Sequence, residues 1–120
     1  MLVANFSFAQ TKKKTTVVKK TTVVKTVTAA KPSAADLVMG KQLISKSDCL
    51  ACHKVDAKLV GPAYNEVAEK YAPTEANYDM LTKKVIAGGS GNWGQVAMTP
   101  HPQLAATDVK KMVQYILSLK

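Results

Sequence analysis

The chain has only two cysteines, Cys49 and Cys52, no acidic residue before Asp36, and no apolar run approaching the ~18–20 residues of a membrane span. Two cysteines exclude a disulfide framework. Their three-position spacing leaves a redox pair, half a zinc site or a haem attachment point. Convincing strand patterns are missing too. The shortage of early acids makes the charge uneven. Seven of the 17 lysines (Lys12, Lys13, Lys14, Lys19, Lys20, Lys25 and Lys31) precede Asp36, so residues 36–120 carry ten lysines against eight carboxylates and only +2 of the total +9. The basicity belongs mostly to a tail and gives no ground for a nucleic-acid partner. At 120 residues the chain permits one domain, in the size range where a cofactor or metal commonly supplements a small core.

Residues 1–9 read as the end of a secretory signal: Leu2, Val3, Phe6 and Phe8 are apolar, and Ser7-Phe8-Ala9 fits a small-x-small cleavage site before Gln10. Residues 10–32 are of low complexity, with Thr15-Thr16-Val17-Val18-Lys19 recurring as Thr21-Thr22-Val23-Val24-Lys25. Rich in lysine and without large apolar side chains, they read as a disordered Lys/Thr/Val-rich tether, or as an electrostatic arm for an acidic partner or an anionic lipid surface. Residues 33–120 form the domain. Ser33 and Asp36 make a capping-box start for a first helix carrying Leu37, Gly40, Leu43 and Ile44. Gly40 costs about 1 kcal/mol there relative to alanine, which implies that another backbone passes close by. A second helix is expected from Pro62, with Tyr64, Val67, Ala68 and Tyr71 inward and Ala72-Pro73 at its end. A third runs from about Ala76 to Ala87 and stops at Gly88-Gly89. Residues 88–106 read as loop. The last helix takes Thr107 as N-cap and buries Val109, Met112, Val113, Ile116 and Leu117. The expected fold is all-α.

Cys49-Leu50-Ala51-Cys52-His53 has the C-x-x-C-H spacing. Two thiols three positions apart can each add to a haem vinyl group, and the adjacent histidine can then bind the iron. A thioredoxin-like redox pair would want a βαβ setting, which this helical pattern does not offer. A zinc site would need two further ligands, and only His101 remains outside the motif. Two buried structural thiols would leave His53 unexplained. For a second axial ligand Met98 leads, because it lies in an irregular loop before Thr99-Pro100. Met39, Met80 and Met112 sit in helical patterns where methionine commonly fills a core. His101 is the rival ligand.

From about Gly40 to Lys120 the sequence resembles the small bacterial class I monohaem cytochromes c of the denitrifier electron-donor type. The resemblance rests on Cys49-Leu50-Ala51-Cys52-His53, Leu59-Val60-Gly61-Pro62-Ala63-Tyr64, Gly91-Asn92-Trp93-Gly94, Met98 with Pro100, and the apolar last helix, all in order. It implies four main helices around one haem c, held covalently through Cys49 and Cys52, with His53 and Met98 as axial ligands. It also implies that the Pro62 carbonyl accepts a hydrogen bond from His53, and that Trp93 donates to a haem propionate. The first and last helices of such proteins cross closely, which would account for Gly40. Two departures stand out: His101 occupies a position where an asparagine often bonds the methionine sulfur, and Lys84 one where an arginine is common.

The function implied is one-electron transfer rather than an enzyme reaction, in the periplasm or otherwise outside the cytoplasm. Partners would be an electron donor and a terminal oxidase or reductase, docking transiently near lysines such as Lys54 and Lys58. The basic tail could tether the domain at a membrane surface. The alternative is a peroxidase-like haem enzyme or ligand sensor in which Met98 is displaceable.

Overall fold

Ser33 and Asp36 cap one another at the start of the first helix. In the computed structural model, which describes residues 31–120, the Asp36 amide donates to Ser33 Oγ at 3.1 Å and the Ser33 amide to Asp36 Oδ2 at 3.3 Å. Helix α1 (Ala34–Lys46) follows, buries Gly40 and Ile44, and ends where the Ser47 amide bonds the Ile44 carbonyl. A short 3₁₀ turn spans Asp48–Ala51. The expectations for residues 1–9 and for nearly all of 10–32 lie outside the described residues.

Helix α2 is Tyr64–Lys70, two residues later than the Pro62 start expected from sequence. The reason is tertiary. The amides of Tyr64 and Asn65, which need partners at a helix start, donate to the carbonyls of Lys54 and Val55 at 2.9 and 3.0 Å. Ala63, extended at ψ 146°, is the residue that turns into the helix, and its amide bonds the Glu66 carboxylate at 3.1 Å. Helix α3 (Glu75–Ala87) has Thr74 as its cap, with Oγ1 accepting from the Asn77 amide at 3.3 Å. It stops at Gly88, whose φ of 66° lies in the left-handed region that glycine tolerates.

Helix α4 (Ala106–Leu117) corrects a second boundary: Ala105 is its N-cap, and Thr107 sits exposed within the first turn. A local turn together with the packing of one side chain sets the entry. The Leu104 amide bonds the His101 carbonyl at 3.2 Å, and Leu104 packs against both halves of the core. Chain direction is thus settled before Thr107, and Asp108 still places its charge favourably in the first turn.

Helix α4 is the axis of the domain. Val109, Val113 and Leu117 pack with Tyr78 of α3, while Met112 packs with Ile44 of α1 and Tyr64 of α2. Full burial of a valine or leucine is worth roughly 1.5–3 kcal/mol, so this one stripe anchors all three partners. Gly40 lies where α1 crosses α4. A Cβ there would overlap the Lys111 carbonyl and come within 3.0 Å of Tyr115 Cβ. At the α3 end, Lys110 of α4 bonds Glu75 and reaches Asp79 at 3.3 Å. Met112 is core, as expected of a helical methionine, but Met39 and Met80 are exposed on the outer faces of α1 and α3. Among the described residues the only strand-like pairing is an isolated antiparallel bridge between Gly89 and Met98, and no helix is long and apolar enough to cross a membrane.

Candidate functional site

The C-x-x-C-H segment is held by its own backbone. The amides of Cys52 and His53 both donate to the Cys49 carbonyl, at 3.2 and 3.0 Å, which winds both thiols onto one tight turn. No disulfide joins the two cysteines; Cys49 is half-buried and Cys52 exposed. Burial pushes the Cys49 thiol above its ordinary value, and the charge of Asp48 adds to the rise.

The chain then loops out and returns. The Gly61 amide bonds the Cys52 carbonyl at 2.8 Å, and this brings Pro62 beside the His53 ring. His53 Nδ1 lies 2.8 Å from the Pro62 carbonyl oxygen. Proline's carbonyl can only accept, so Nδ1 carries the proton and Nε2 keeps the lone pair that binds metals. The ring also stacks on Tyr64, with centroids 5.4 Å apart and planes at 20°. Burial, with Cys49 nearby, holds the Tyr64 hydroxyl well above its usual range.

Gly61 completes the seat. A Cβ at this position would come within 2.7 Å of His53 Nδ1 and 3.0 Å of Nε2. Sequence reading had no specific role for Gly61; the signal available was its place between Val60 and Pro62. Tyr64 was assigned only to a buried stripe, and the structure adds its stacking on His53.

Met98 is fixed from the other direction. Its amide and carbonyl pair with those of Gly89 at 2.9 and 3.0 Å, and the His101 amide bonds the Ile86 carbonyl at 3.0 Å. The segment after α3 is therefore pinned back onto that helix. Between these pieces lies a cavity of about 270 Å³. Cys49, Cys52, His53, Pro62, Trp93 and Met98, the six residues singled out in the sequence, all line it. Met112, Leu81, Val85 and Ile116 supply apolar wall, and Lys84 and His101 also face it. Trp93 is covered on one face by the Lys70 ammonium, 4.4 Å from the ring centroid, and Lys70 also donates to the Asn92 carbonyl at 2.8 Å. This clasp had no counterpart in the sequence reading.

The donor set fits a haem. Two thiols, an imidazole with one nitrogen committed and the other free, and a thioether sulfur share one largely apolar cavity. At its rim Val60 and Val96 are 53% and 65% exposed, apolar surface that a flat hydrophobic group would cover. A thiol-redox domain or zinc site does not fit: no βαβ unit is present among the described residues, and no cluster of three His, Cys, Asp or Glu there could hold a metal ion.

The cytochrome c family model matches residues 37–120, and the all-helical architecture agrees, so this chain belongs to the cytochrome c family. Cytochrome c-551 of Allochromatium vinosum is 52% identical over 89 residues, spanning 73% of this chain and 90% of that protein. Cytochrome c-552 of Hydrogenobacter thermophilus is 45% identical over 80 residues, 67% of this chain and 81% of its own. The crystal structure of wild-type Nitrosomonas europaea cytochrome c552 superposes with a TM-score of 0.63 at 40% identity, covering 67% of this chain and 99% of that one. Within the family the chain is therefore of the small bacterial class I monohaem type, similar to the cytochromes c-551 and c-552. It is an electron-transfer protein with one covalently bound haem c. No comparison favours the peroxidase-like alternative.

Proposed function

We propose that Cys49 and Cys52 are the two thioether anchors and that His53 and Met98 are the axial ligands of a one-electron carrier working outside the cytoplasm. The observation that carries this reading is the 2.8 Å contact between His53 Nδ1 and the Pro62 carbonyl, which leaves Nε2 as the ligating nitrogen. Pro62 thereby sets the ring's orientation and raises its basicity. When bound, haem supplies an iron centre that gains and loses one electron. The residues of the chain do the rest. Gly61 leaves room for the imidazole, and the Gly89 pairing holds Met98 in place. Trp93 lies at the cavity edge, and its indole N–H would serve as a donor to a haem propionate.

Exposed Lys54 and Lys58 lie close in sequence to the attachment turn and steer transient encounters with acidic patches on an electron donor and a terminal oxidase or reductase. The seven lysines ahead of Asp36 add an electrostatic arm that favours an acidic partner or an anionic membrane surface.

The ligand assignment is tested by Met98→Ala. The variant should lose the weak near-infrared sulfur-to-iron band of the oxidised protein and bind added cyanide or imidazole readily. His101→Ala should keep that band at room temperature. If His101→Ala opens the iron and Met98→Ala does not, the ligands are two histidines and the assignment fails.

A further inference from the structure

His101 and Asp48 are 53 positions apart, yet His101 Nε2 lies 3.0 Å from Asp48 Oδ1. Asp48 opens the 3₁₀ turn and immediately precedes Cys49, so it moves with the attachment segment. His101 is three residues beyond Met98, and its amide is tied to Ile86 of α3. The contact therefore joins the segment that anchors the cofactor to the segment that supplies the sulfur. Its two ends differ in exposure: the His101 side chain is 9% exposed and that of Asp48 68%. The imidazole is thus an interior strut, and the carboxylate meets it at the surface.

The hydrogen-bond chemistry limits what His101 can do. A carboxylate accepts, so Nε2 donates to Asp48. In the neutral ring Nδ1 then has a lone pair and no proton. That nitrogen is buried without a partner, and the residue lines the haem cavity. A methionine sulfur is itself an acceptor, so neutral His101 held this way has no proton to offer Met98. What the geometry shows is a positional influence: through Asp48 and Ile86, His101 fixes the backbone three residues beyond Met98.

We propose that Asp48 and His101 form a latch across the haem cleft, which holds the Met98 segment closed against the Cys49–His53 segment and slows detachment of the sulfur from iron. His101 is a positioning residue in this scheme, and Asp48 positions His101. The proposal rests on the reading of Met98 as the second axial ligand. It assigns to Asp48, an exposed carboxylate outside the ligand set, a measurable effect on that ligand.

The test uses the matured, haem-loaded full chain with Asp48→Ala, His101→Ala and the double variant. Three quantities are read: the rate of cyanide binding to the oxidised protein, the temperature at which the near-infrared sulfur band disappears, and the global melt by far-ultraviolet ellipticity. Losing a charge-assisted hydrogen bond with one exposed partner should raise the cyanide rate about three- to ten-fold in each single variant. The double variant should be no faster than the more affected single, because both changes break one contact. The sulfur band should disappear at lower temperature in all three, with a smaller shift in the global melt. Asp48→Ala with parental cyanide kinetics and band stability would overturn the latch, as would additive effects in the double variant. Because Asp48 is exposed, that variant remains informative even where His101→Ala does not mature. A parent protein lacking the sulfur band would overturn the ligand reading and the latch with it. A parent with the band but insensitive variants overturns the latch alone.

Discussion

Replacing Gly40 by alanine sets two effects of known sign against each other. Within α1 the change should help, since alanine is better than glycine in a helix interior by about 0.8–1 kcal/mol. At the α1–α4 crossing it should hurt. The new methyl group overlaps the Lys111 carbonyl, with the carbonyl carbon 2.7 Å away and Tyr115 Cβ at 3.0 Å. Two of these three neighbours are main chain of α4, which no rotamer change can move aside. Relief requires the helices to part by roughly 1 Å, which also loosens the packing of Ile44 on Met112, since dispersion contacts fall off steeply over that distance. Overpacking of this kind costs about 1–3 kcal/mol, and a backbone obstacle points to the upper end. The net loss is then about 2 kcal/mol, a fall in Tm of roughly 8–16 °C for a domain of this size. The assay is thermal unfolding of the matured protein by far-ultraviolet ellipticity, with Ser45→Ala on the exposed side of the same helix as control. Ser45→Ala should melt at or slightly above the parent. If Gly40→Ala does so too, α1 and α4 do not approach as closely as described and the explanation of Gly40 is wrong.

Gly61→Ala should push the His53 ring off the Pro62 carbonyl and the Tyr64 ring, costing about 1–3 kcal/mol and lowering haem incorporation; a normal Soret spectrum at parental yield would show that the ring has room. Lys110→Met should cut the tie from α4 to Glu75 and Asp79, lowering stability by no more than ~1 kcal/mol because the groups are partly exposed, and less in high salt. The hydrogen bond to Glu75 holds Lys110 above its ordinary value. Its contribution is therefore complete below the unfolded lysine value of about 10.4 and is lost as pH rises through the raised folded one. An alkaline stability profile identical in parent and Lys110→Met would refute this. A chain beginning at Ser33 should keep the haem spectrum and melt within a few degrees of the full chain. Its electron-transfer rate with an acidic partner should fall at low ionic strength, and that difference should vanish in high salt; rates unchanged at every salt concentration would leave the tail as a spacer only.

The attachment half of the candidate site could be read along the chain because its chemistry imposes short spacings. Two thiols must share a turn, and the histidine must follow directly, so Cys49, Cys52 and His53 announce themselves. Helices were legible where a local device marks them, as with the Ser33–Asp36 capping box and the apolar stripe of α4. Where distant groups decide, local pattern fell short. Pro62 looked like a helix start, but its neighbours' amides are taken by Lys54 and Val55, and α2 begins at Tyr64. Thr107 looked like a cap, but Leu104, packed against both halves of the core, brings the chain into α4 earlier. Helical spacing alone put Met39 and Met80 with Met112, yet only Met112 faces the core. The contacts of Asp48 with His101 and of Lys70 with Asn92 join residues too far apart for any periodicity to connect.

Among the described residues, every seam between two α-helices has α4 as one of its sides. Each of α1, α2 and α3 therefore depends on Ala106–Leu117 for its main helix-to-helix seam. Cys49 and Cys52, which follow α1, thus owe the closing of their surroundings to a helix that lies beyond both His53 and Met98 in the chain.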